Sequence, residues 1–269
     1  MFEVSASGYY AWQNRPASRR TQENTELLKE IQDIHQMSRQ TYGSPRVHAE
    51  LVARGFAVGK NRVARLMRAE HIQARRKKKR KKTTDSHHNY PVAPNLLNQE
   101  FEAQRPNQKW LSDITYIWTA EGWLYLATVM DLFSRKIVGW AMEDTLASCL
   151  VEKAFGMAVQ TRQPAAGLLH HSDQGSQYAG DPYQVQLARY HMQVSMSRTG
   201  NCYDNAPMES FFSTLKVDQV HFQNYESRQE AKTDIFEYIE GFYNRIRRHS
   251  SLGYLSPVEF ERQYYVSLS

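Results

Sequence analysis

The chain has 269 residues, of which 41% are hydrophobic and 23% are charged, and its formal net charge is +6. This length allows one large hydrophobic core and a smaller module beside it. The mean hydropathy of −0.67 and the lack of any run of roughly 18 apolar residues exclude a membrane-spanning protein. Residues 1–8 lack the basic-then-apolar order of a signal peptide, so we expect a cytoplasmic protein without membrane contacts.

The two cysteines argue against a zinc site. Cys149 and Cys202 lie far apart, and neither belongs to a Cys-x-x-Cys pair. Structural zinc usually takes four Cys or His ligands at short paired spacings. The histidine pairs at 87–88 and 170–171 have no cysteine at such a spacing, so we expect no zinc.

The charge is divided unevenly along the chain. Residues 1–100 contain 19 Lys and Arg against 9 Asp and Glu, a net charge of +10. Residues 101–269 contain 15 against 19, a net charge of −4. This division indicates that residues 1–100, the basic front of the chain, provide most of the attraction to phosphates.

Apolar periodicity predicts three helices in the basic front, at 24–37, 46–54 and 60–69. Ser44 is the candidate N-cap of the second helix, with Pro45 at its first position. Helices separated by short Gly-containing turns are typical of a helix-turn-helix, whose last helix enters a DNA groove. A solvated basic face on a helical spacer is the alternative. The candidate DNA contacts on the third helix are Lys60, Arg62, Arg65 and Arg68.

Eight consecutive basic residues follow the third helix, and a polar hinge at 85–98 comes after them. Like charges at this density repel one another, so we expect the run to be extended unless it is bound. With a nucleic-acid partner, such a linker follows the phosphate backbone and adds affinity without base specificity. A solubilising linker and a localisation-like patch are the alternatives. The candidate backbone contacts are Arg75, Arg76, Lys77, Lys78, Lys79, Arg80, Lys81 and Lys82.

From Trp110 onward the hydrophobic period becomes strand-like. The pattern predicts strands at 111–118, 123–131, 136–142, 167–171 and 192–197, with helices at 147–161 and 182–190. This order predicts an α/β, ribonuclease-H-like fold: a mixed five-stranded sheet flanked by helices, preceded by a small all-helical module. The predicted domains are the helix-turn-helix-like module 1–73, the basic and polar linker 74–100, and the catalytic domain 101–269 with its C-terminal helical extension.

Three acidic residues lie in different kinds of segment. Asp113 falls within a predicted strand, Asp173 lies at a strand-to-turn junction, and Glu209 lies in the first turn of a helix behind Pro207. Gly175 is expected to supply backbone freedom for the turn after Asp173. Carboxylates that converge from separate elements suit Mg²⁺, and two such ions about 3.5–4 Å apart support phosphoryl transfer. A solvent-facing strand residue and an Asx-turn are the respective alternatives for the two aspartates.

The motifs around these acids resemble the retroviral-integrase superfamily of DDE polynucleotidyl transferases. Within it, the phrases at 201–216 and 244–257 resemble the second-frame product, OrfB, of copy-out, paste-in bacterial insertion sequences. The similarity covers nearly the whole chain. It implies that Asp113, Asp173 and Glu209 are the catalytic residues and ligands of Mg²⁺, with two ions expected and Mn²⁺ as a substitute.

The resemblance also implies the reaction and the partners. The expected activity is that of a DNA transposase, in which water cleaves an element end to expose a 3′-hydroxyl and that hydroxyl then attacks target DNA. The expected partners are double-stranded transposon ends and target, further copies of the chain on DNA, and the upstream-frame product as a fusion or separate protein. No leucine-zipper heptads precede residue 8, so we expect this chain to be the catalytic half.

Further cations are candidates for DNA contact. Lys216 lies two helical turns after Glu209, an offset that the superfamily associates with terminal DNA, although an ordinary exposed lysine is the alternative. Asn201 and Asn205 are expected to cap the helix. A predicted helix at 238–249 has a basic end, where the helix dipole alone favours cations by about 0.3–1 kcal/mol each. The candidates there for contact with DNA or another subunit, or for a structural role, are Arg245, Arg247 and Arg248.

Two other functional classes compete with this interpretation. A non-catalytic DNA-binding regulator, or a decaying remnant, would retain the basic front without needing the acids, and the complete acidic triad disfavours it. A structure-selective nuclease on the same fold would cut strands without joining them.

Overall fold

The computed structural model describes residues 5–75, 90–199 and 201–268. The chain folds into two compact units, Met1–Arg75 and Arg76–Ser269. Positions 76–82 of the basic run lie outside the described residues, so the prediction made for them stays a prediction. Among the described helices, none combines the length and the apolar character needed to cross a membrane.

The described part of the first unit is helical, as predicted. Its helices are α1 (Ala6–Gln13), α2 (Arg19–Met37), α3 (Ser44–Ala53) and α4 (Lys60–Ala69). The core forms from the apolar positions that set the helical period in the sequence, and its fully buried residues include Ile31, Ile34, Val47, Leu51 and Val63.

The starts of α2 and α3 differ from the prediction. Helix α2 begins five residues before the predicted start because the Ser18 hydroxyl accepts a hydrogen bond from the Thr21 N–H at 3.2 Å. The assignment of Ser44 as the N-cap of α3 is wrong, since Ser44 is already helical and Gly43 occupies the cap. Pro45 follows in the first turn, where its missing N–H removes a donor that would otherwise need a partner.

The described part of the second unit contains a mixed five-stranded sheet with the order β3-β2-β1-β4-β5, which confirms the predicted fold. Strands β1 (Lys109–Thr119), β2 (Gly122–Asp131) and β3 (Ile137–Glu143) are antiparallel neighbours. Strands β4 (Leu169–Ser172) and β5 (Gln193–Met196) extend the sheet in parallel with β1.

Helices cover both faces of this sheet. On one face α5 (Ser148–Arg162) packs so closely on Gly139 that a Cβ there would lie 2.2 Å from the Ala154 carbonyl oxygen. Trp140, the next residue, points to the opposite face, where its ring lies 5.7 Å from that of Phe236. The remaining described helices are α6 (Ser176–Ala179), α7 (Asp181–Arg189), α8 (Ala206–Asp218), α9 (Arg228–Phe236), which continues as a π-helix (Glu237–Tyr243), and α10 (Pro257–Leu268).

The helix predicted at 238–249 is wrong at both ends. The observed helix begins with α9 at Arg228 and its π-helical continuation ends at Tyr243. Asn244 follows it, and its side-chain amide pairs with the sheet edge: Oδ1 accepts from the Ile137 N–H at 3.0 Å and Nδ2 donates to the Ile137 carbonyl at 2.9 Å. Residues 245–249 lie outside this helix, and a short 3₁₀-helix (Ser250–Leu252) comes after them.

A buried ion network attaches the C-terminal helix to the sheet. The Arg162 guanidinium lies 2.9 Å from the Asp131 carboxylate and 2.7 Å from the Glu261 carboxylate of α10. Lys136 and the Ser134 hydroxyl also contact Glu261, at 3.3 and 2.8 Å. Removing one partner of such a buried pair costs roughly 3–5 kcal/mol, so α10 is an integral part of the catalytic unit.

Candidate active site

The parallel pairing of β1 and β4 brings two of the three predicted acids together. The register pairs Lys109 with Leu169 and Leu111 with His171, residues that are 60 apart in sequence. Asp113 and Asp173 are separated by the same interval. The register therefore places them side by side, Asp113 within β1 and Asp173 immediately after the last residue of β4.

Asp173 is held by a turn at the end of its strand. Its Oδ1 accepts a hydrogen bond from the Gly175 N–H at 2.9 Å, which confirms the Asx-turn. The expected reason for Gly175 is wrong, since its φ of −59° is open to any residue. A Cβ at Gly175 would lie 3.0 Å from the Asp173 carboxylate oxygen and 3.1 Å from Oε1 of Gln177, so the position needs the small volume of glycine.

Glu209 lies in the first turn of α8 and is exposed there. The helix packs against β1, and the Asn205 amide at its start donates to the Ser112 carbonyl at 3.4 Å. Asn205 occupies the N-cap position of α8, as predicted, but its side chain makes no capping hydrogen bond. Asn201 caps the 3₁₀-helix Cys202–Asn205 that precedes α8, since its Oδ1 accepts from the Tyr203 N–H at 3.1 Å.

The electrostatics of Asp113 show that the three acids and Lys216 share one site. Burial raises the pKa of the Asp113 carboxyl well above its usual range, and the negative charges of Asp173 and Glu209 raise it further. The Ile114 N–H, at 2.8 Å, and the Lys216 ammonium lower that pKa without cancelling the rise. The site thus concentrates negative charge that a cation would neutralise.

Buried polar atoms around the acids lack hydrogen-bond partners within the described residues. They are the Tyr178 hydroxyl, Oδ1 of Asn205, and the hydroxyl of Thr128, which lies opposite Asp113 in the β1–β2 register. Burial raises the pKa of Tyr178 well above its usual range, and Tyr183, Asp113 and Asp173 add to the rise. Buried polar atoms normally find a partner.

This donor set fits a hydrated hard cation. No three Asp, Glu, His or Cys side chains in the described part of the chain lie close enough, as they stand, to enclose one ion. Mg²⁺ does not need such a cage, because it usually keeps several waters and takes one or two carboxylates plus substrate phosphates. The neighbouring unpartnered atoms suit bonds to those waters.

The histidines at 170–171 serve the fold. His170 Nε2 lies 2.9 Å from the Ser112 hydroxyl and 3.0 Å from the Tyr183 hydroxyl. His171 Nδ1 lies 2.8 Å from the Ser195 hydroxyl. Burial lowers the pKa of His170 to about 3 and that of His171 to about 4, so both are neutral and join β1, β4 and β5.

Sequence reasoning missed Asp204, which organises the loop that leads into α8. Its fully buried carboxylate accepts from Arg198 Nη2 at 2.7 Å, and from the amides of Asn95 and Gln99 at 2.9 Å each. The Arg198 side chain holds the pKa of Asp204 well below its usual range, which keeps the carboxylate ionised. The residue lies within the motif 201–216, so the motif marked the segment without revealing this role.

The candidate DNA contacts of α4 differ in their exposure and in whether they bond to other side chains of the first unit. Lys60, Arg65 and Arg68 are exposed. Arg62 is half-buried, with Nε 2.9 Å from Oδ1 of Asn24 and Nη2 3.3 Å from the Glu23 carboxylate.

The C-terminal candidates are mostly engaged inside the unit. Arg247 is buried with its Nε 2.9 Å from the Asp218 carboxylate, and the buried Arg248 donates to the Tyr254 carbonyl at 2.7 Å. Arg245 is exposed. Lys216 is half-buried near Asp113, as described above.

Comparison with known proteins matches both units. A model of an HTH-like domain matches residues 22–80, and models of the integrase core domain match 103–202 and 209–265. The chain is 48% identical to an uncharacterized 31 kDa protein of insertion element IS600 from Shigella sonnei, over 98% of this chain and 97% of the relative. It is 41% identical to transposase InsF for insertion sequence IS3A from Escherichia coli (strain K12), over 98% and 92%.

The chain belongs to the IS3 family of insertion-sequence transposases. Membership of this family confirms the resemblance inferred from the motifs. The second unit of the chain is an integrase-type polynucleotidyl transferase core. A cryoEM structure of a simian T-cell lymphotropic virus intasome has a similar fold, with a TM-score of 0.50 and 11% identity over 86% of this chain and 74% of that one. DNA transposition is the function that membership of this family supports.

We expect Gly175→Ala to reduce catalysis about 10- to 100-fold, because the new methyl group displaces the Asp173 carboxylate and misplacements of this order are costly. Strand joining by the purified variant measures the effect. Gly156→Ala is the matched control, since a Cβ on that α5 glycine meets nothing within 4 Å. Equal activity of the two variants, with both folded, would contradict the spatial role assigned to Gly175.

Proposed function

We propose that this transposase cleaves the ends of its element to expose a 3′-hydroxyl and joins that hydroxyl to target DNA, in a reaction that depends on a divalent metal ion. The observation that carries the proposal is the β1–β4 register, which sets Asp113 beside Asp173, together with the electrostatic interaction of Glu209 with Asp113.

Asp113, Asp173 and Glu209 would hold the metal, Mg²⁺ or in its place Mn²⁺, and two ions suit this reaction class. When bound, the metal activates an attacking oxygen and stabilises the leaving oxygen at phosphorus. The protein's part is to orient the carboxylates, and the positive charge of the metal would favour their ionised form. The Ile114 N–H supports Asp113 and the Gly175 N–H supports Asp173.

Each chemical step exchanges one phosphorus–oxygen bond for another. In cleavage, a water oxygen attacks the phosphodiester at the element end and the 3′-oxygen leaves as a hydroxyl. In strand transfer, that 3′-hydroxyl attacks a target phosphodiester and a new 3′-oxygen leaves. No covalent bond between protein and DNA is required, because the nucleophile in each step comes from water or from DNA.

Residues 1–100 would supply most of the affinity for DNA. The exposed Lys60, Arg65 and Arg68 on α4 suit a recognition helix in a DNA groove, and the basic run 75–82 suits the phosphate backbone. Lys216 suits a phosphate at the element end, and Arg245 is the exposed C-terminal candidate. We expect several copies to act together on two element ends, with the upstream-frame product as a fusion or a partner.

We expect Asp113→Asn, Asp173→Asn and Glu209→Gln each to reduce strand transfer to the uncatalysed background while DNA binding remains. The amides preserve shape but lose the charge that holds the metal. Gel assays of joined products measure transfer, with Asp144→Asn, an exposed residue beyond β3, as the matched control. Near-normal joining by Asp173→Asn in Mg²⁺ would show that the site is assigned wrongly.

We expect Asp113→Asn to raise the melting temperature of the metal-free protein at neutral pH. The folded-state pKa of Asp113 lies above its unfolded value, so ionisation destabilises the fold as pH rises between the two. Each kcal/mol relieved raises Tm by about 2–4 °C. Mg²⁺ should raise the Tm of the wild type, since it binds the folded state, but not that of the variant. The same Mg²⁺ increment in both proteins would argue against Asp113 as a ligand.

We expect replacement of residues 75–82 by serine to flatten the salt dependence of duplex binding by several units. Log K falls with log salt with a slope of roughly −0.9 for each phosphate neutralised. Fluorescence anisotropy across a salt series measures that slope. Arg65→Ala with Arg68→Ala is the comparison, because two cations should change the slope by no more than about two units. An unchanged slope in the serine variant would mean that the run is a solvated tether.

The competing activity is that of a structure-selective nuclease on the same fold. It predicts cleavage products without joined products under the same Mg²⁺ conditions. The strand-transfer assay above therefore separates the two activities.

A further inference from the structure

Three exposed aromatic side chains cluster where β1 turns into β2. Tyr116, Trp118 and Trp123 are 42%, 60% and 43% exposed. The Trp123 ring lies 5.1 Å from the Tyr116 ring and 4.8 Å from the Trp118 ring, both edge to face. We call these three residues the aromatic patch. Single exposed apolar residues are ordinary, but a contiguous exposed group marks a contact surface.

The support beneath the patch is rigid. Trp118 and Trp123 are direct partners in the antiparallel register. The hairpin tip is tied down by the segment before α9, because the Ala120 N–H donates to the Tyr225 carbonyl at 2.9 Å and Arg228 Nε donates to the Trp123 carbonyl at 3.0 Å. The aromatic side chains therefore project from backbone that is fixed before any ligand arrives, which lowers the entropic cost of binding.

The patch is continuous with the acidic site through Lys216. The Lys216 ammonium lies 5.1 Å from the centre of the Tyr116 ring, and α8 carries Glu209 two turns before Lys216. Tyr116 and Asp113 are three residues apart on β1, so their side chains leave opposite faces of the strand and Lys216 is the link between them. A DNA strand held at the acids by a phosphodiester can therefore extend past Lys216 to the aromatic patch.

The chemistry of the patch suits an unpaired nucleobase. Surfaces that bind single-stranded nucleic acid combine cations for the backbone with aromatic rings on which bases stack. Here Lys216 lies at one end of the patch and the half-buried Arg228 lies at the other. A second copy of the chain is the rival occupant, yet a stable interface buries about 1,600 Å², far more than three side chains provide.

We propose that Tyr116, Trp118 and Trp123 form a stacking surface for an unpaired base of the DNA strand whose phosphodiester lies at the acids. This inference rests on the proposed function, and it adds a contact that distinguishes a frayed or tailed DNA end from a closed duplex. Stacking on an aromatic side chain strengthens binding by roughly 5- to 100-fold for each base.

The test compares a blunt duplex with the same duplex carrying a single-stranded tail that contains 2-aminopurine. Full-length protein is titrated without divalent metal, so that no strand is cut. We expect the wild type to bind the tailed probe about tenfold more tightly and to quench the 2-aminopurine. Trp118→Ala with Trp123→Ala should remove both effects and leave affinity for the blunt probe unchanged, whereas Trp118→Phe should retain most of the preference.

Tyr265→Ala is the matched control, because this α10 residue is also an exposed aromatic, at 54%. A wild type without preference for the tail, or an alanine variant that keeps it, overturns the inference. An altered oligomeric state of the alanine variant in sedimentation, with no change in tail preference, overturns it in favour of an interface between copies. A separate cleavage assay in Mg²⁺ distinguishes failure of the stacking proposal from failure of the proposed function. Preference for the tailed probe without any cleavage would count only against the proposed function.

Discussion

The parallel pairing of β1 with β4 is the constraint on which the catalytic unit depends, because it forces two carboxylates together. Burial and the negative charge of Asp173 both raise the pKa of Asp113, so the arrangement disfavours two ionised carboxylates. The surroundings hold the arrangement in place. The Ser112–His170 bond joins the two strands under the acids, and the Gly175 N–H fixes the direction of Asp173. Strain of this kind is tolerated at functional sites when neighbouring structure compensates for it.

That compensation comes largely from buried cations and amides, among them Arg247, which the sequence made a candidate for DNA contact. Arg162 joins α5 to α10 through buried carboxylates, and Arg247 joins the segment after the π-helix to Asp218 at the end of α8. Asn244 completes the hydrogen bonding of the β3 edge. Because α8 carries Glu209, the packing of the C-terminal segment against α8 also sets where the third acid stands. The motif at 244–257 thus has a structural role that a list of its charges does not reveal.

Much of the fold follows from local pattern, and the departures have identifiable causes. Helix α4 matches its predicted bounds because a glycine precedes it and its apolar stripe is regular. Helix α1 was missed because it buries no residue and so has no periodic signal. The helix predicted to reach residue 249 stops at Tyr243, where the next side chain, Asn244, bonds to a strand 107 residues away in the chain, a contact that no local window contains. The motifs identified the three acids, but only the β1–β4 register explains why Asp113 and Asp173 are 60 residues apart.

The division of charge between residues 1–100 and residues 101–269 acquires a physical meaning from the partners of their cations. In the described residues of the second unit, Arg162, Arg198 and Arg247 are all committed to carboxylates of that unit. The first unit instead presents Lys60, Arg65 and Arg68 to solvent. An acidic centre with its cations engaged internally repels a DNA backbone, so it needs both a bound divalent cation and a separate basic module to hold the substrate. Because the basic front and the acidic centre lie in different segments of the chain, DNA binding and chemistry can be separated experimentally.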